Sequence, residues 1–136
     1  MRLCWSHSGS AMRLLLDTHV YLWWLQDHPK LSKAGRARIV AASEVWVSSA
    51  SIWEASIKVG LGKLDVDVNA LVDEIVKSGF RELPVTAIHA ARVASLPGLH
   101  RDPFDRLLIA QALCEPLCFV TMDQMLAGYS DLVEII

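Results

Sequence analysis

The chain has 136 residues, of which 53% are hydrophobic and 21% charged, so it is long and apolar enough for one folded domain and is not a disordered chain. Its formal net charge of −2 does not indicate a basic surface for nucleic acid, although it is compatible with a nuclease whose acidic site is neutralised by metal ions. No apolar run is long enough to span a bilayer. The 3 cysteines lack paired-ligand spacing, which favours reduced thiols and a cytoplasmic protein over a disulfide or zinc framework.

Residues 1–11 differ in composition from the rest of the chain and precede a second methionine, Met12. No apolar segment of signal-peptide type follows Arg2. We therefore expect an N-terminal extension, either a flexible arm or the product of an upstream start, ahead of a single domain at residues 12–136.

Hydrophobic runs and turn residues divide that domain into alternating strands and helices. Short apolar runs are typical of buried strands, and they predict strands at residues 12–16, 44–48, 80–85, 117–121 and 132–136. Helices are predicted at residues 20–26, 31–42, 52–59, 68–77, 87–95 and from 103 to about 114, with a helical turn ending at 128. Their N-caps are predicted at Ser32, Ser51, Asp67, Thr86 and Asp102. Pro84 places the third strand at an edge of the sheet or near the strand's end. This alternation predicts a three-layer α/β/α sandwich with a mostly parallel central sheet.

Acidic residues fall where such a sheet gathers its functional groups. Asp17 and Asp123 each follow an apolar strand, whereas Glu54 and Asp105 each fall in the first turn of a predicted helix. The carboxyl ends of parallel strands and the N-termini of the helices that follow them share one edge of the sheet. All of these carboxylates should therefore meet at that edge.

Each carboxylate alone has a structural explanation. Asp17 is placed to cap a helix, and the spacing of Ser51 and Glu54 matches a capping box. Asp102 is a typical N-cap, and Asp105 in the next turn complements the positive end of the helix dipole. Together they are not all explained as caps, because like charges within about 4–6 Å raise each other's pKa and reduce stability. One or two Mg²⁺ or Mn²⁺ ions would resolve that conflict, since these ions prefer oxygen ligands, and the paired histidines or cysteines that zinc prefers are missing.

Segments in four parts of the chain resemble the PIN domain family, and more narrowly the VapC toxins of toxin–antitoxin modules. They read LLLDTHVYLWWL, SSASIWEASIKVGLGKL, HRDPFDRLLIAQA and FVTMDQMLAGY, in the family's order, and the resemblance runs from about residue 12 to residue 136. The resemblance implies a metal-dependent ribonuclease that forms a homodimer and is held inactive by a cognate, VapB-like antitoxin. It assigns catalysis and metal binding to Asp17, Glu54, Asp105 and Asp123.

Other polar residues of these segments are expected to support the site. Asp102 is expected to cap its helix and hold a water molecule beyond the direct metal ligands. Thr18 and Thr121 either orient the carboxylates or a metal-bound water, or are ordinary turn hydroxyls. The backbone of RNA would be held by basic residues in or near the motifs, each of which is otherwise a surface charge: Lys58, Lys63, Arg101 and Arg106. A water activated by metal would attack phosphorus in line and leave a 5′-phosphate and a 3′-hydroxyl.

Other interpretations stay open. A catalytically inactive domain of the same fold that regulates through partner contacts would show no metal-dependent cleavage. A metal-dependent phosphatase or a DNA nuclease would use a similar sheet, but a phosphoaspartate phosphatase is disfavoured because no second aspartate lies two positions after Asp17. The choice of RNA over DNA rests on the resemblance alone.

Aromatic residues also lie near the motif segments. Of the 5 tryptophans, Trp23, Trp24 and Trp53 either fill the core or line a hydrophobic groove that receives an antitoxin helix. His89 is expected to be a surface or partly buried histidine, because no second ligand lies three or four residues away.

Overall fold

The computed structural model describes residues 13–98 and 102–136, which form a 5-stranded sheet covered by helices on both faces. The strands are β1 (Leu14–Leu16), β2 (Val45–Ser48), β3 (Arg81–Leu83), β4 (Cys118–Thr121) and β5 (Val133–Ile135). The helices are α1 (Thr18–Gln26), α2 (Lys33–Ala41), α3 (Ser49–Gly60), α4 (Val68–Lys77), α5 (Ala87–Arg92) and α6 (Pro103–Cys114). Short 3₁₀ helices span Val93–Ser95 and Gln124–Tyr129. The predicted extension at residues 1–11 and Met12 lie outside the described residues.

The strands are ordered β3-β2-β1-β4-β5, and every neighbouring pair is parallel. Central β1 pairs through Leu14 with Val45 of β2 on one side and with Cys118 of β4 on the other. Strand β3, which precedes Pro84, lies at the edge, as predicted. The predicted sandwich on a parallel sheet is confirmed. Since all the strands run the same way, the turns after β1, β2 and β4 lie at one edge.

The side chains of β1 enter two separate cores. Leu14 and Leu16 pack in the core formed with α1, α2 and α4, whereas Leu15 packs against α6 on the opposite face. Each is 0% exposed, and burial of such a side chain stabilises the fold by about 1.5–3 kcal/mol. A strand buried on both faces must be apolar throughout, which explains the unbroken LLL run.

Most of the predicted N-caps are confirmed, but Ser51 is not one of them. Helix α3 begins at Ser49, and Ser48 caps it by accepting a hydrogen bond from the Ala50 N–H at 3.0 Å. The capping box predicted for Ser51 and Glu54 is therefore wrong, because β2 passes directly into α3 and the helix starts earlier than predicted. Glu54 lies in the second turn of α3 and is buried.

His89 is only 2% exposed, so the expectation of a surface or partly buried histidine is wrong. Its Nδ1 accepts a hydrogen bond from the Thr86 N–H at 3.1 Å and so completes a capping box at the start of α5. With Nδ1 accepting, Nε2 carries the ring proton and donates to the Glu115 carboxylate at 2.7 Å. The physical reason for the burial is that α5 packs against α6.

The sequence showed no apolar run long enough to span a bilayer, and it predicted reduced cysteines. No helix in the described part of the chain is long and apolar enough to cross a membrane. Cys118 is disulfide-bonded, whereas Cys114 is free, so the expectation of reduced thiols is wrong for Cys118. The cysteines therefore give no support to a cytoplasmic location.

Candidate active site

A cavity of about 210 Å³ opens at the carboxyl edge of the sheet, between the turns that follow β1 and β4. Both predicted acids of these turns, Asp17 and Asp123, line it. The remaining lining residues, His19, Trp23 and Met122, were not predicted as site residues. Their signal in the sequence was their nearness to the two aspartates: His19 lies two residues and Trp23 six residues after Asp17, which is less than two turns of helix, and Met122 directly precedes Asp123.

Asp17 occupies the N-cap position of α1, yet its side chain makes no capping hydrogen bond. It is 6% exposed, and its Oδ2 accepts a hydrogen bond from Thr121 Oγ1 at 2.6 Å. Burial raises the pKa of Asp17 above its ordinary value, and the nearby charge of Glu54 acts in the same direction, while the Thr121 hydrogen bond opposes both. Asp17 therefore holds the N-cap position without a capping hydrogen bond of normal geometry, and it is a buried carboxylate at the rim of a cavity.

Glu54 approaches Asp17 from α3. Its side chain is buried, and its Oε2 forms an ion pair with Lys58 Nζ at 3.1 Å, one helical turn away. Lys58 Nζ also lies 3.4 Å from His19 Nε2. Lys58 therefore supplies positive charge to one side of the acidic group.

Thr121 joins the two aspartates. Its hydroxyl donates to Asp17 and accepts a hydrogen bond from the Asp123 N–H at 3.1 Å. Asp123 Oδ1 in turn accepts from the Met125 N–H at 3.0 Å, so Asp123 does cap the following 3₁₀ helix. The turns after β1 and β4 are thereby tied to one another.

Thr18 makes a different contact from the one expected. Its hydroxyl donates to Ser51 Oγ at 2.8 Å, in a buried hydrogen bond that ties the start of α1 to α3. Ser51 was predicted as a cap. The structure instead places it in the interface that brings Asp17 and Glu54 close together.

The start of α6 lies on the same side of the molecule but outside the cavity. Asp102 caps α6 as predicted, accepting from the Phe104 N–H at 2.9 Å and the Asp105 N–H at 3.0 Å. The Phe104 ring packs edge-on against Trp53, with centroids 5.1 Å apart, next to Glu54 in the chain. Asp105 is half-buried in the first turn of α6 and does not line the cavity that holds Asp17.

The predicted RNA-binding residues have different surroundings. Arg106 donates to the Pro97 carbonyl at 2.9 Å and the Val93 carbonyl at 3.3 Å, which fixes the segment ahead of α6. Lys63 is exposed after the end of α3, Lys58 lies at the site, and Arg101 lies outside the described residues.

The donors of the site fit a hard divalent cation in their chemistry. Asp17, Glu54 and Asp123 offer carboxylate oxygens, the ligands that Mg²⁺ and Mn²⁺ prefer, and a cation would offset the burial that raises the pKa of Asp17. Within residues 13–98 and 102–136, however, no three His, Cys, Asp or Glu side chains are gathered closely enough to hold an ion. The acids share an edge of the sheet without forming a closed ligand set.

The chain matches known proteins along most of its length. The PIN domain family model matches residues 14–132. The chain is 30% identical over 121 residues to Ribonuclease VapC22 of Mycobacterium tuberculosis, an alignment that covers 85% of this chain and 91% of that protein.

Solved structures with a similar fold include a toxin–antitoxin complex. VapBC2 from Rickettsia felis, bound to a DNA fragment from its promoter, matches with a TM-score of 0.66 and 19% identity over 90% of this chain and 96% of that chain. A toxin–antitoxin complex from Klebsiella pneumoniae matches with a TM-score of 0.61 and 16% identity over 90% and 99% of the two chains. FitAcB from Neisseria gonorrhoeae matches with a TM-score of 0.59 and 23% identity over 81% and 87%. The family match spans nearly all of the described residues and the relative aligns over most of its own length, so the chain belongs to the PIN domain family, within its VapC group.

Proposed function

We propose that this protein is a metal-dependent endoribonuclease that acts as the toxin of a toxin–antitoxin pair. The observation that carries the proposal is Asp17, a buried carboxylate at a helix N-terminus that accepts a hydrogen bond from Thr121 and lies beside Glu54 and Asp123. Such a group lowers stability unless a cation or a proton compensates it. The similarity to a protein named as a ribonuclease supports RNA as the substrate.

The residues that would hold one or two Mg²⁺ or Mn²⁺ ions are Asp17, Glu54 and Asp123, with Asp105 approaching from α6. A bound divalent ion supplies Lewis acidity, which makes a water molecule more acidic and neutralises charge that builds up on the scissile phosphate. Thr121 fixes the orientation of the Asp17 carboxylate through its 2.6 Å hydrogen bond, and Thr18 holds α1 against α3. Lys58 balances the charge of Glu54 and is placed to contact a phosphate of the RNA backbone. The expected products carry a 5′-phosphate and a 3′-hydroxyl.

The alternative is a catalytically inactive domain that acts through partner contacts. The lack of a three-residue ligand cluster among the described residues favours it. The buried carboxylate of Asp17 argues against it, because a domain that only binds partners gains nothing from a carboxylate that lowers its stability.

The antitoxin is proposed to occupy a groove between α1 and α4. This groove has a volume of about 400 Å³, with Leu22, Leu25 and Leu71 among its apolar lining residues and Asp67 and Glu74 supplying negative charge. An amphipathic helix with a basic edge would complement it. None of the tryptophans in the described part of the chain lines this groove, so Trp23 and Trp24 are not its anchors.

A homodimer is proposed to form through the α3 stripe, which we define as Trp53, Ile57 and Leu61. These residues follow one another at helical spacing and are 60%, 39% and 63% exposed. In a twofold dimer the same patch meets itself, which suits an apolar surface without charges of its own.

The decisive experiment incubates purified protein with RNA and with DNA of the same sequence, in Mn²⁺ and in EDTA. We expect RNA cleavage only with metal, 5′-phosphate ends detected by adaptor ligation, and loss of cleavage in Asp17→Asn and Glu54→Gln. Asp67→Asn is the matched control, since Asp67 is an exposed cap of α4 and should leave cleavage unchanged. If folded wild-type protein leaves RNA intact in Mn²⁺, the protein is the inactive binding module.

A further inference from the structure

The cavity beside Asp17 and Asp123 has a second wall, which is formed by aromatic and sulfur-containing side chains. His19 and Trp23 of α1 and Met122 after β4 contribute two aromatic rings and a thioether. Carboxylates serve a phosphate through metal ions, but they give no reason for an aromatic and polarisable wall around the same space. The combination suits a nucleotide, which joins a phosphate to a flat, apolar-faced base.

Trp23 is held as a rigid platform. It is half-buried, and it packs against the core of α1, α2 and α4. The His19 ring lies 5.8 Å from its ring and the His28 ring lies 5.7 Å away, centroid to centroid. An indole fixed in this way loses little conformational freedom when a base stacks on the aromatic group, which keeps the entropic cost of binding low.

Positive charge flanks the aromatic wall. Lys58 Nζ lies 3.4 Å from His19 Nε2, and Lys30 Nζ lies 5.8 Å from the centroid of the Trp23 ring. Single-stranded nucleic acid is bound by just such a combination of stacking surfaces and nearby cations that attract the backbone phosphates. In a chain of net charge −2, these lysines provide a local patch where the overall charge provides none.

We propose that His19, Trp23 and Met122 form a binding site for one unstacked nucleobase of the RNA, next to the phosphate that is cleaved. This inference rests on the proposed ribonuclease function and adds a separate site for one base of the substrate. At about 210 Å³, the cavity is smaller than the roughly 300–1,000 Å³ of drug-sized ligand sites, so it accommodates one ring system and not a paired duplex.

The test separates the base from the phosphate by comparing two small probes. Adenosine 5′-monophosphate and ribose 5-phosphate carry the same phosphate and ribose, and neither contains a phosphodiester that the protein can cleave. Their dissociation constants are measured by calorimetry, with Mn²⁺ and with EDTA. Stacking of one base should make the nucleotide bind about 5- to 150-fold more tightly than the sugar phosphate.

Variants test whether the preference for the nucleotide over the sugar phosphate depends on Trp23. Trp23→Leu should bind both probes equally well, while Trp23→Phe keeps an aromatic ring and should retain most of the preference. Trp24→Leu is the matched control, because Trp24 is the next residue of α1 but packs on Phe80 and lines a different cavity. Circular dichroism and the melting temperature establish that each variant is folded.

Equal binding of both probes by the wild-type protein, or an unchanged preference in folded Trp23→Leu, would overturn the proposal. The two proposals can fail separately. Metal-dependent RNA cleavage without a base preference leaves the ribonuclease in place and removes the base site. A Trp23-dependent base preference without any cleavage leaves a nucleotide-binding domain that is not a nuclease.

Discussion

Replacing Asp17 by asparagine should stabilise this protein when no metal is present. The carboxylate is 6% exposed and makes no capping bond, so the folded state carries the cost of removing a charge from water. Asparagine has nearly the same shape and keeps an oxygen that can accept the hydrogen bond from Thr121. The substitution therefore removes the charge without creating a cavity.

The expected magnitude follows from two opposing contributions. Burial of a charge costs several kcal/mol even after the protein relaxes, and the substitution recovers this. The Thr121 hydrogen bond weakens from about 1.5–3 kcal/mol with a charged acceptor to about 0.5–1.5 kcal/mol with a neutral one. The net gain should be about 1–2 kcal/mol, or about 3–8 °C in melting temperature for a domain of this size.

Thermal unfolding in EDTA measures the effect of the Asp17 charge on stability, and thermal unfolding in Mn²⁺ measures the effect of metal binding. Wild-type protein should gain about 2.7 kcal/mol when Mn²⁺ is present at 100 times its dissociation constant, whereas Asp17→Asn should respond weakly. Asp67→Asn makes the same chemical change at an exposed cap, and its stability should stay within about 0.5 kcal/mol of wild type. A lower melting temperature for Asp17→Asn in EDTA, together with an unchanged Mn²⁺ response, would show that Asp17 is a structural residue.

Further predictions concern pH, the core and assembly. Urea unfolding in EDTA should show that the difference in unfolding free energy between Asp17→Asn and wild type narrows as the pH falls. The pKa of Asp17 is raised in the folded state, whereas the unfolded carboxyl titrates near 3.8. The folded wild-type protein therefore takes up a proton more readily than the unfolded chain and gains stability as the pH falls. A difference in unfolding free energy that widens as the pH falls would contradict this prediction. Tyr21→Phe should cost about 1–2 kcal/mol, because the Tyr21 hydroxyl donates to the buried Leu71 carbonyl at 2.7 Å, and it should leave the Mn²⁺ shift unchanged. Leu61→Lys should convert a dimer to a monomer in light scattering with an unchanged circular dichroism spectrum; a dimer that persists would show that the interface lies outside the α3 stripe.

Features set by neighbours in the sequence were predicted well. Strand β1 was recognised because burial on both faces requires an unbroken apolar run, and Asp67 and Asp102 were recognised as caps because a cap acts on the next three residues. The prediction that Ser51 caps α3 was wrong, also for a local reason. Ser48 competes for the same role, and only the direct passage from β2 into α3 decides between them.

Features set by distant parts of the chain were beyond a local pattern. The hydrogen bond from Thr121 to Asp17 joins residues 104 positions apart. His89 is buried by α6, which follows it in the sequence, so its own helix carries no sign of that burial. The positions of the acids at strand ends did predict that Asp17 and Asp123 share an edge, but not that Trp23 lines the same cavity.

The charges around the cavity explain why metal binding and Asp17→Asn should act in the same direction. Asp17, Glu54 and Asp123 bring three carboxylates to this edge, and Lys58 is paired with one of them. The remaining negative charge is about that of two electrons, which one divalent ion balances. Protonation or amidation of Asp17 relieves half of it without any ion. A site of this kind is least stable when it is empty and fully ionised, so a gain in stability on adding Mn²⁺ and a gain on removing the Asp17 charge are two measurements of the same repulsion. If only one of them is found, the carboxylates do not act as a group.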